Sequence, residues 1–354
     1  MSRSAIRRTT AALASVLLLL GAATACGSGS DGSGGSEGGG ASKSGSADSA
    51  YPVTIPHKYG STRITSEPKR IVTVGLTDQD AVLALGKVPV GTTEWIGGYR
   101  GAIGPWAQDE QGDGKAPAVL KDTGTGPQVE KIAALDPDLI LAVYGGLTKE
   151  QYTSLSRFAP VVAHPKEYND YGIPWQEQTR TIGKALGRSA EADEAVAGVE
   201  AAFKAAARPE FKNATALMAT PYEGMFVFGT QDPRSRILTG LGFRLPDGLD
   251  QAIGDRFGAS ISKERTDLLD QDAVVWMVTD VAEDTAKLHK DASYGNLKVV
   301  RDGREVFVHE TSDYGNAMAF GTVLSLPYVI ERLAPQLAAA VDGKPATVVA
   351  QPAS

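Results

Sequence analysis

The chain has 354 residues, and at about 150 residues per domain this length favours two domains over one. Hydrophobic residues make up 42% and charged residues 22%, which excludes a multi-span membrane protein and a mostly disordered chain. The 35 Lys and Arg against 42 Asp and Glu give a net charge of −7, which argues against a general nucleic-acid-binding function.

Residues 1–25 have the order of a secretory signal peptide. Three arginines fall within the first eight residues, an apolar run covers 11–21, and small residues cover 22–25. The apolar run is shorter than the roughly 20 residues of a membrane-spanning helix, so a permanent transmembrane anchor is the weaker alternative. Removing the three arginines leaves 32 basic against 42 acidic residues, a charge of −10 for the mature chain.

Cys26 is the only cysteine, and it follows the leader directly, so an intrachain disulfide is excluded. Its position resembles the lipobox of bacterial lipoproteins, in which the cysteine is lipidated after cleavage, although Ala23 stands where such boxes usually carry Leu. The alternative is ordinary cleavage nearby, with Cys26 as an unmodified thiol. Residues 26–50 are then the lipidated cysteine and a flexible Gly/Ser linker, which holds the folded part outside the membrane.

Apolar runs from Tyr51 onward predict two sets of buried strands that alternate with helices in the α/β manner. The predicted strands are 70–75, 88–91, 138–146 and 159–163 in the first set and 214–220, 225–229, 273–279 and 305–309 in the second. Predicted helices in the first set cover 78–85 and 129–135. Each set could build one parallel-rich lobe.

Residues 175–207 lack a strand pattern and have apolar residues at helical spacing, which predicts one long or two consecutive helices between the lobes. Gly187 followed by Ser189 marks a possible break. The predicted division of the folded part is an N-terminal α/β lobe over 51–173, an interdomain helix over 174–208, a C-terminal α/β lobe over 209–343 and a tail over 344–354.

An internal repeat of the form E-x-x-x-x-L-D-x-D is the most informative feature. One copy runs from Glu130 to Asp138 and the other from Glu264 to Asp272, and an apolar strand follows each. Each glutamate is predicted in the first turn of a short helix, with Ser262 as the N-cap in the second copy. The two lobes are therefore expected to carry equivalent helix–strand units.

Taken together, these features resemble the iron-siderophore substrate-binding proteins of ABC importers. The resemblance rests on PKRIV at 68–72, the block at 130–140, DPRSRILTGLGF at 232–243, ISKE at 261–264 and LSLPYVIERLAP at 324–335. It implies two α/β lobes joined by a long helix, with the ligand in the cleft between them. It also implies a monomer that binds a ferric siderophore and passes it to a permease and its ATPase subunits.

Carried onto this chain, the family's permease-docking glutamates are Glu130 and Glu264. The alternative is that each carboxylate only complements a helix N-terminus, a contribution of about 0.3 to 1 kcal/mol. Their occurrence in both copies of the repeat favours docking.

The resemblance implies a cleft that recognises a bulky organic shell, since the iron of a ferric siderophore already has six oxygen ligands. Aromatic faces and a few directed donors suit this task, and neither a protein metal ligand nor a cofactor is expected. The candidate ligand-binding residues are Trp95, Tyr99, Arg100, Trp106, Tyr144, Tyr222, Arg234 and Arg236. Arg234 and Arg236 could instead make structural pairs, Trp276 is expected in the core, and Tyr314 and Asn316 are weaker candidates.

Tyr144 lies about where hydroxamate binders of this family use a tyrosine. The arginine that those binders often carry before the docking glutamate is replaced here by 123–125, Thr-Gly-Thr. A ferric tris-catecholate carries about three negative charges and demands several converging cations, whereas a ferric tris-hydroxamate core is neutral. The candidates hold five aromatic residues against three arginines, so a hydroxamate is favoured and a citrate-type siderophore comes next.

Three other function classes fit the sequence less well. A zinc or manganese carrier needs clustered imidazoles and carboxylates, but the four histidines are scattered singly. An enzyme is not expected, because the only nucleophile motif, G-x-S-x-G at 34–38, lies in the linker without a flanking strand or helix. A haem or cobalamin carrier of related fold remains the nearest alternative.

Overall fold

The computed structural model describes residues 50–121 and 126–350, which belong to one compact unit. The predicted signal peptide, Cys26, the linker before residue 50 and residues 123–125 lie outside this description. In residues 50–121 and 126–350, no single helix is long and apolar enough to cross a membrane. The helices Asp313–Phe320 and Ser325–Ala340, which are bent relative to each other, reach that length and apolarity only when they are taken together.

The described chain contains twelve strands, numbered here in chain order. They are β1 (Val53–His57), β2 (Gly60–Ile64), β3 (Ile71–Thr73), β4 (Gly91–Glu94), β5 (Ala118–Lys121), β6 (Leu139–Ala142), β7 (Val161–Ala163), β8 (Ala216–Thr220), β9 (Met225–Phe228), β10 (Gly258–Ile261), β11 (Ala273–Val278) and β12 (Glu305–His309). Seven of the eight predicted strands are confirmed, with ends that move by a few residues.

Helices fill the intervals between these strands. The α-helices are α1 (Asp78–Ala84), α2 (Gln108–Gln111), α3 (Val129–Ala134), α4 (Lys149–Leu155), α5 (Trp175–Ala185), α6 (Ser189–Ala206), α7 (Pro233–Leu241), α8 (Leu249–Ile253), α9 (Val281–Lys290), α10 (Ala292–Gly295), α11 (Lys298–Arg301), α12 (Asp313–Phe320) and α13 (Ser325–Ala340). Short 3₁₀ helices cover Arg100–Ala102, Pro105–Ala107, Phe211–Asn213 and Lys263–Leu269.

The strand predicted at 88–91 is wrong, because the chain pairs three residues later, at β4. Pro89 cannot donate a backbone hydrogen bond, and Val72 of β3 pairs with Gly91 instead. A Cβ atom at Gly91 would lie 2.4 Å from the Leu135 side chain, so glycine allows that close packing. The threonines that follow are buried through hydrogen bonds, since Thr92 Oγ1 donates to the Gly101 carbonyl at 2.5 Å.

Two five-stranded sheets organise the two lobes. The N-terminal sheet has the order β5-β4-β3-β6-β7 and is parallel throughout. The C-terminal sheet has the order β10-β9-β8-β11-β12, in which β8, β11 and β12 are parallel and β9 runs antiparallel to both of its neighbours. The strand order reverses between β3 and β6 in one sheet and between β8 and β11 in the other. Ligands of open α/β sheets bind at such reversals, beyond the carboxyl ends of the strands.

The repeated sequence occupies equivalent places in the two lobes. The carboxylate of Asp138 accepts backbone N–H bonds from Lys69 and Arg70, both at 2.8 Å, at the start of β3. The carboxylate of Asp272 accepts the backbone N–H of Thr215 at 2.9 Å, at the start of β8. The last aspartate of each copy therefore anchors the central strand of its own sheet.

The segment between the sheets is a pair of consecutive helices, α5 and α6. Gly187 lies in the break with a φ of +67°, a conformation that glycine adopts without strain. Helix α5 packs against α1 of the N-terminal lobe, whereas α6 packs against α7 and α13 of the C-terminal lobe. The two helices approach closely where Gly183 is buried, since a Cβ atom there would lie 2.4 Å from that of Ala192.

A buried carboxylate joins the two lobes at the start of α1. Asp80 is fully buried, and its Oδ2 accepts hydrogen bonds from Trp106 Nε1 at 2.8 Å and from Thr322 Oγ1, which lies between α12 and α13, at 2.5 Å. Its other oxygen has no hydrogen-bond partner in the described chain. Burial raises the pKa of Asp80 from 3.8 to about 6, because a desolvated carboxylate favours its neutral form.

We expect Gly183→Ala to lower the free energy of unfolding by about 1 to 3 kcal/mol, because the added methyl group overlaps Ala192 and pushes the two connecting helices apart. Urea denaturation measures this change. Gly198→Ala, on the exposed face of α6 with nothing within 4 Å of its added Cβ, is the matched control. It should be neutral or up to about 1 kcal/mol stabilising; equal losses in both variants would contradict the close approach.

Asp80→Asn should change how stability depends on pH. The folded pKa of Asp80 lies above its unfolded value, so its protonation stabilises the fold below pH 4, and this contribution is lost as the pH rises through 6. Relative to the asparagine variant, the wild-type free energy of unfolding should therefore fall by about 3 kcal/mol between pH 4 and 7. Asp109→Asn, at the surface of α2, should follow the wild-type profile, and parallel curves for wild type and Asp80→Asn would refute the shift.

Candidate functional site

A cavity of about 420 Å³ lies where the carboxyl ends of strands from both sheets meet. Trp95 follows β4 of the N-terminal sheet, while Thr279 and Glu310 directly follow β11 and β12 of the C-terminal sheet. The lining residues are Trp95, Thr220, Pro221, Tyr222, Phe226, Phe228, Arg234, Phe257, Met277, Thr279, Asp284 and Glu310. The position is the one that the strand reversals indicate for a ligand.

Aromatic side chains form most of the apolar wall. The rings of Phe226 and Phe257 lie 5.7 Å apart between centroids, and Phe226 meets Phe228 at 5.4 Å. Tyr222 is 64% exposed. From the other lobe, Trp95 packs 5.5 Å from Phe320 between ring centroids. A wall of this kind presents broad apolar faces that match the shape of a large ligand.

One of the three predicted arginines, Arg234, lines the cavity, and a carboxylate already neutralises it. Its Nε and Nη2 donate to the two oxygens of Asp232, each at 2.7 Å, and its guanidinium carbon lies 3.7 Å from the Phe228 ring centroid. Burial disfavours the cation, but Asp232 outweighs this effect and holds the pKa of Arg234 above its ordinary value. Arg234 is therefore charged, and its charge is already matched by the carboxylate of Asp232.

The other two arginines lie elsewhere. Arg236 donates from Nη2 to the Gly172 carbonyl of the N-terminal lobe at 2.7 Å, and burial lowers the pKa of this arginine. It lines a separate cavity beside α5 and α6. Arg100 begins a 3₁₀ helix and is exposed. The structure does not bring the three arginines together.

Tyr144 lies at the strand reversal of the N-terminal sheet, two residues beyond β6. Its backbone N–H donates to Asp78 Oδ1 at 2.9 Å, and the N–H of Val143 donates to Oδ2 at 2.7 Å. The ring is 4% exposed and its centroid lies 6.4 Å from that of Trp95. Burial raises the pKa of Tyr144, so its hydroxyl group stays neutral at physiological pH. Tyr144 therefore lies beside Trp95, a residue of the cavity lining, and is not itself part of that lining.

Two further predicted aromatic residues make contacts between the lobes. Tyr99 donates its hydroxyl hydrogen to Asp313 Oδ1 and accepts a hydrogen bond from Asn316 Nδ2, both at 2.8 Å. Trp106 packs edge-on against Tyr99 at 5.7 Å and donates to Asp80. These two side chains therefore lie at the contact between the lobes, outside the cavity lining.

The remaining predicted residues have structural surroundings. Tyr314 is buried and donates to Gln336 Oε1 at 2.9 Å. Trp276 is fully buried and donates to the Tyr294 hydroxyl at 2.7 Å, which confirms its expected place in the core. In residues 50–121 and 126–350, no group of three or more His, Asp and Glu side chains is arranged to hold a metal ion.

Glu130 and Glu264 are both exposed, in the first turn of α3 and of the 3₁₀ helix over Lys263–Leu269. Neither carboxylate has an ion-pair partner in the described part of the chain. Ser262 stands at the N-cap position of the second helix, but its side chain makes no capping hydrogen bond.

The sequence reasoning missed Asp232, Glu310 and the phenylalanines at 226, 228 and 257. Phe226 and Phe228 alternate along β9 like core residues and Phe257 directly precedes β10, so periodicity alone did not mark them. Glu310 was detectable as the residue directly after a predicted strand, where ligand-binding side chains collect.

Comparison with known proteins relates this fold to binding proteins. A periplasmic solute-binding protein of Mycobacterium smegmatis is 33% identical, with a TM-score of 0.71 over 82% of this chain and 98% of its own. PiaA of Streptococcus pneumoniae, solved in complex with ferrichrome, is 27% identical, with a TM-score of 0.73 over 82% and 99%. The "Probable siderophore-binding lipoprotein YfiY" of Bacillus subtilis is 28% identical over 73% of this chain and 80% of its own. The family model described as "Periplasmic binding protein" matches residues 71–310, and the chain belongs to that family.

Proposed function

We propose that this protein binds a ferric siderophore in the cavity between its lobes and delivers it to an ABC permease for iron uptake, without a catalytic step. The observation that carries this proposal is an aromatic cavity of about 420 Å³ in a periplasmic binding protein. Its size lies within the range of small-molecule sites. Its lining offers no cluster of metal ligands, which suits iron that arrives already coordinated.

The charge of the cavity favours a hydroxamate siderophore. Arg234 is the single cation of the described lining, and Asp232 already neutralises it. The three negative charges of a ferric tris-catecholate would therefore be desolvated without matching cations, at a large free-energy cost. A neutral ferric tris-hydroxamate avoids that cost. The related PiaA was solved in complex with ferrichrome, a hydroxamate siderophore, which supports the same class.

We place the mature protein outside the cell, attached to the outer face of the cytoplasmic membrane through lipidated Cys26. The order of the leader and the lone cysteine supports this placement, and the name of the related YfiY is that of a lipoprotein. A monomer is sufficient for the proposed function, since residues from both lobes of one chain line the cavity.

We expect ferrichrome and ferrioxamine-type complexes to quench the tryptophan fluorescence of the mature protein at sub-micromolar concentration, and ferric enterobactin to change it far less. Trp95→Ala should weaken hydroxamate binding roughly tenfold or more, the size of an aromatic anchor contact. Phe158→Ala, an exposed aromatic residue outside the cavity lining, is the matched control. Preference for enterobactin would overturn the hydroxamate class, and binding of haem or cobalamin alone, read from a Soret or corrin spectrum, would overturn siderophore capture.

We propose that Glu130 and Glu264 dock the protein onto basic residues of the permease. The support is that two exposed, unpaired carboxylates occupy equivalent places in the two lobes, each on a short helix that leads into the strand next to the central one. Exposed charges at the rim of an interface act chiefly on association and on its salt dependence.

The double variant Glu130→Ala/Glu264→Ala should bind siderophore as the wild type does but lower siderophore-dependent iron uptake at least tenfold, because it removes both docking charges. Uptake of ⁵⁵Fe-labelled complex in cells that lack the chromosomal copy measures this. Glu150→Ala/Glu283→Ala is the matched control, since these glutamates lie in the first turns of α4 and α9. Normal uptake by the docking variant, or an equal loss in the control, would rule the role out.

A further inference from the structure

We propose that the ligand is a cationic siderophore, and that Glu310 is the carboxylate that pairs with its positively charged group. This inference rests on the proposed function and narrows its substrate class. The observation behind it is a carboxylate that lines the cavity without a cation to neutralise it.

Glu310 is held at the cavity by its backbone. It follows β12 directly, and its N–H donates to the Val278 carbonyl at the end of β11, at 2.8 Å. Its side chain is half-buried and lines the cavity. No Lys, Arg or His nitrogen of residues 50–121 and 126–350 lies within 4 Å of its carboxylate oxygens. The side chain therefore presents a carboxyl group without an ion-pair partner to whatever fills the cavity.

The charged side chains around Arg234 leave one negative charge unmatched. Arg234 gives both of its strong hydrogen bonds to Asp232, so the single cation of the lining is matched by a carboxylate before Glu310 is counted. Glu310 adds to the field that keeps Arg234 protonated. The cluster of Asp232, Arg234 and Glu310 therefore carries a net charge of −1.

Asp284 is the other carboxylate of the lining, and its oxygens already have partners within the protein. Its Oδ2 accepts from the backbone N–H of Thr279 at 3.0 Å, from the Thr279 hydroxyl at 3.0 Å and from the Asp280 N–H at 3.1 Å. Its Oδ1 lies 3.7 Å from Lys287 Nζ. Glu310 is therefore the acidic group that remains for the ligand.

The aromatic wall points to the same kind of ligand. Faces of Trp, Tyr and Phe attract organic cations through their quadrupoles, and Trp95, Tyr222, Phe226 and Phe257 line the same cavity as Glu310. A primary ammonium on a flexible arm can meet both the rings and the carboxylate. A pendant carboxylate would be repelled by Glu310 and would find Arg234 already paired.

The test compares three ferric complexes that share one tris-hydroxamate core: ferrioxamine B, whose pendant amine is an ammonium, its neutral N-acetyl derivative and its anionic N-succinyl derivative. Tryptophan quenching of the full mature protein gives each dissociation constant. We expect the ammonium complex to bind roughly tenfold more tightly than the N-acetyl complex, as for a partly buried charge-assisted contact. We expect the N-succinyl complex to bind most weakly.

Glu310→Gln should abolish the difference between the ammonium and N-acetyl complexes, since the amide keeps the shape of the side chain and removes its charge. Raising the salt concentration should weaken the ammonium complex of the wild type and have little effect on that of the variant. Glu331→Gln, an exposed residue on α13, is the matched control and should keep the wild-type order of affinities.

The outcomes separate this inference from the proposed function. Equal affinities for the three complexes in the wild type would overturn the cationic class while siderophore binding stands. A preference for the ammonium complex that survives Glu310→Gln would overturn the role of Glu310. If none of the three complexes binds while a catecholate or citrate complex does, both the hydroxamate class and this inference fail; if no ferric siderophore binds, the proposed function fails with them.

Discussion

The buried carboxylate of Asp78 holds together the part of the N-terminal lobe that lies beside the cavity residue Trp95. It accepts hydrogen bonds from the backbone N–H groups of Val143 and Tyr144 and, at 2.9 Å, from Gln178 Nε2 of α5. A Cβ atom at Gly75 would lie 2.1 Å from Asp78 Oδ2, so only glycine lets the chain pass there. One side chain therefore ties α1, the loop after β6 and the first connecting helix. Burial raises the pKa of Asp78, while its three donors compensate the group that would otherwise be unsatisfied.

In the C-terminal lobe, a less buried carboxylate, that of Asp284, also holds the loop that follows a strand. Asp284 of α9 holds the loop after β11 through Thr279 and Asp280. Because this carboxylate remains closer to solvent, hydrogen bonds outweigh desolvation, and they lower the pKa of Asp284 instead of raising it. In both lobes, a helix carboxylate fixes the loop that follows the strand at the reversal point. The loop held by Asp284 includes Thr279 of the cavity lining, and the loop held by Asp78 includes Tyr144, whose ring lies beside that of the lining residue Trp95.

The fold was largely predictable because buried strands of parallel sheets are short apolar runs, as in β6 and β11. β4 was misplaced because its sequence is polar and is buried through hydrogen bonds. The candidate site was harder to predict. Trp95 and Tyr99 come from one loop, yet one lines the cavity and the other bonds to Asp313, more than 200 residues away along the chain. The local sequence does not distinguish the two positions, because Asp313, the residue that holds Tyr99 outside the cavity, comes from the other lobe. Likewise, Arg234 and Asp232 are close in the sequence, but the sequence alone could not show that their side chains form an ion pair with each other.

The repeat connects the proposed docking surface to the cavity. Glu130 lies on α3, which leads into β6 and then to Tyr144; Glu264 lies on the 3₁₀ helix that leads into β11 and then to Met277. In each lobe, the last aspartate of the repeat anchors the neighbouring central strand. A force applied to Glu264 would thus pass through β11 to Met277 of the cavity wall, and one applied to Glu130 would pass through β6 to Tyr144, whose ring centroid lies 6.4 Å from that of the cavity residue Trp95. Because no protein side chain needs to coordinate the iron, moving the two walls apart would suffice to release the proposed ligand. The same unit of sequence would then serve both recognition by the permease and the opening of the site.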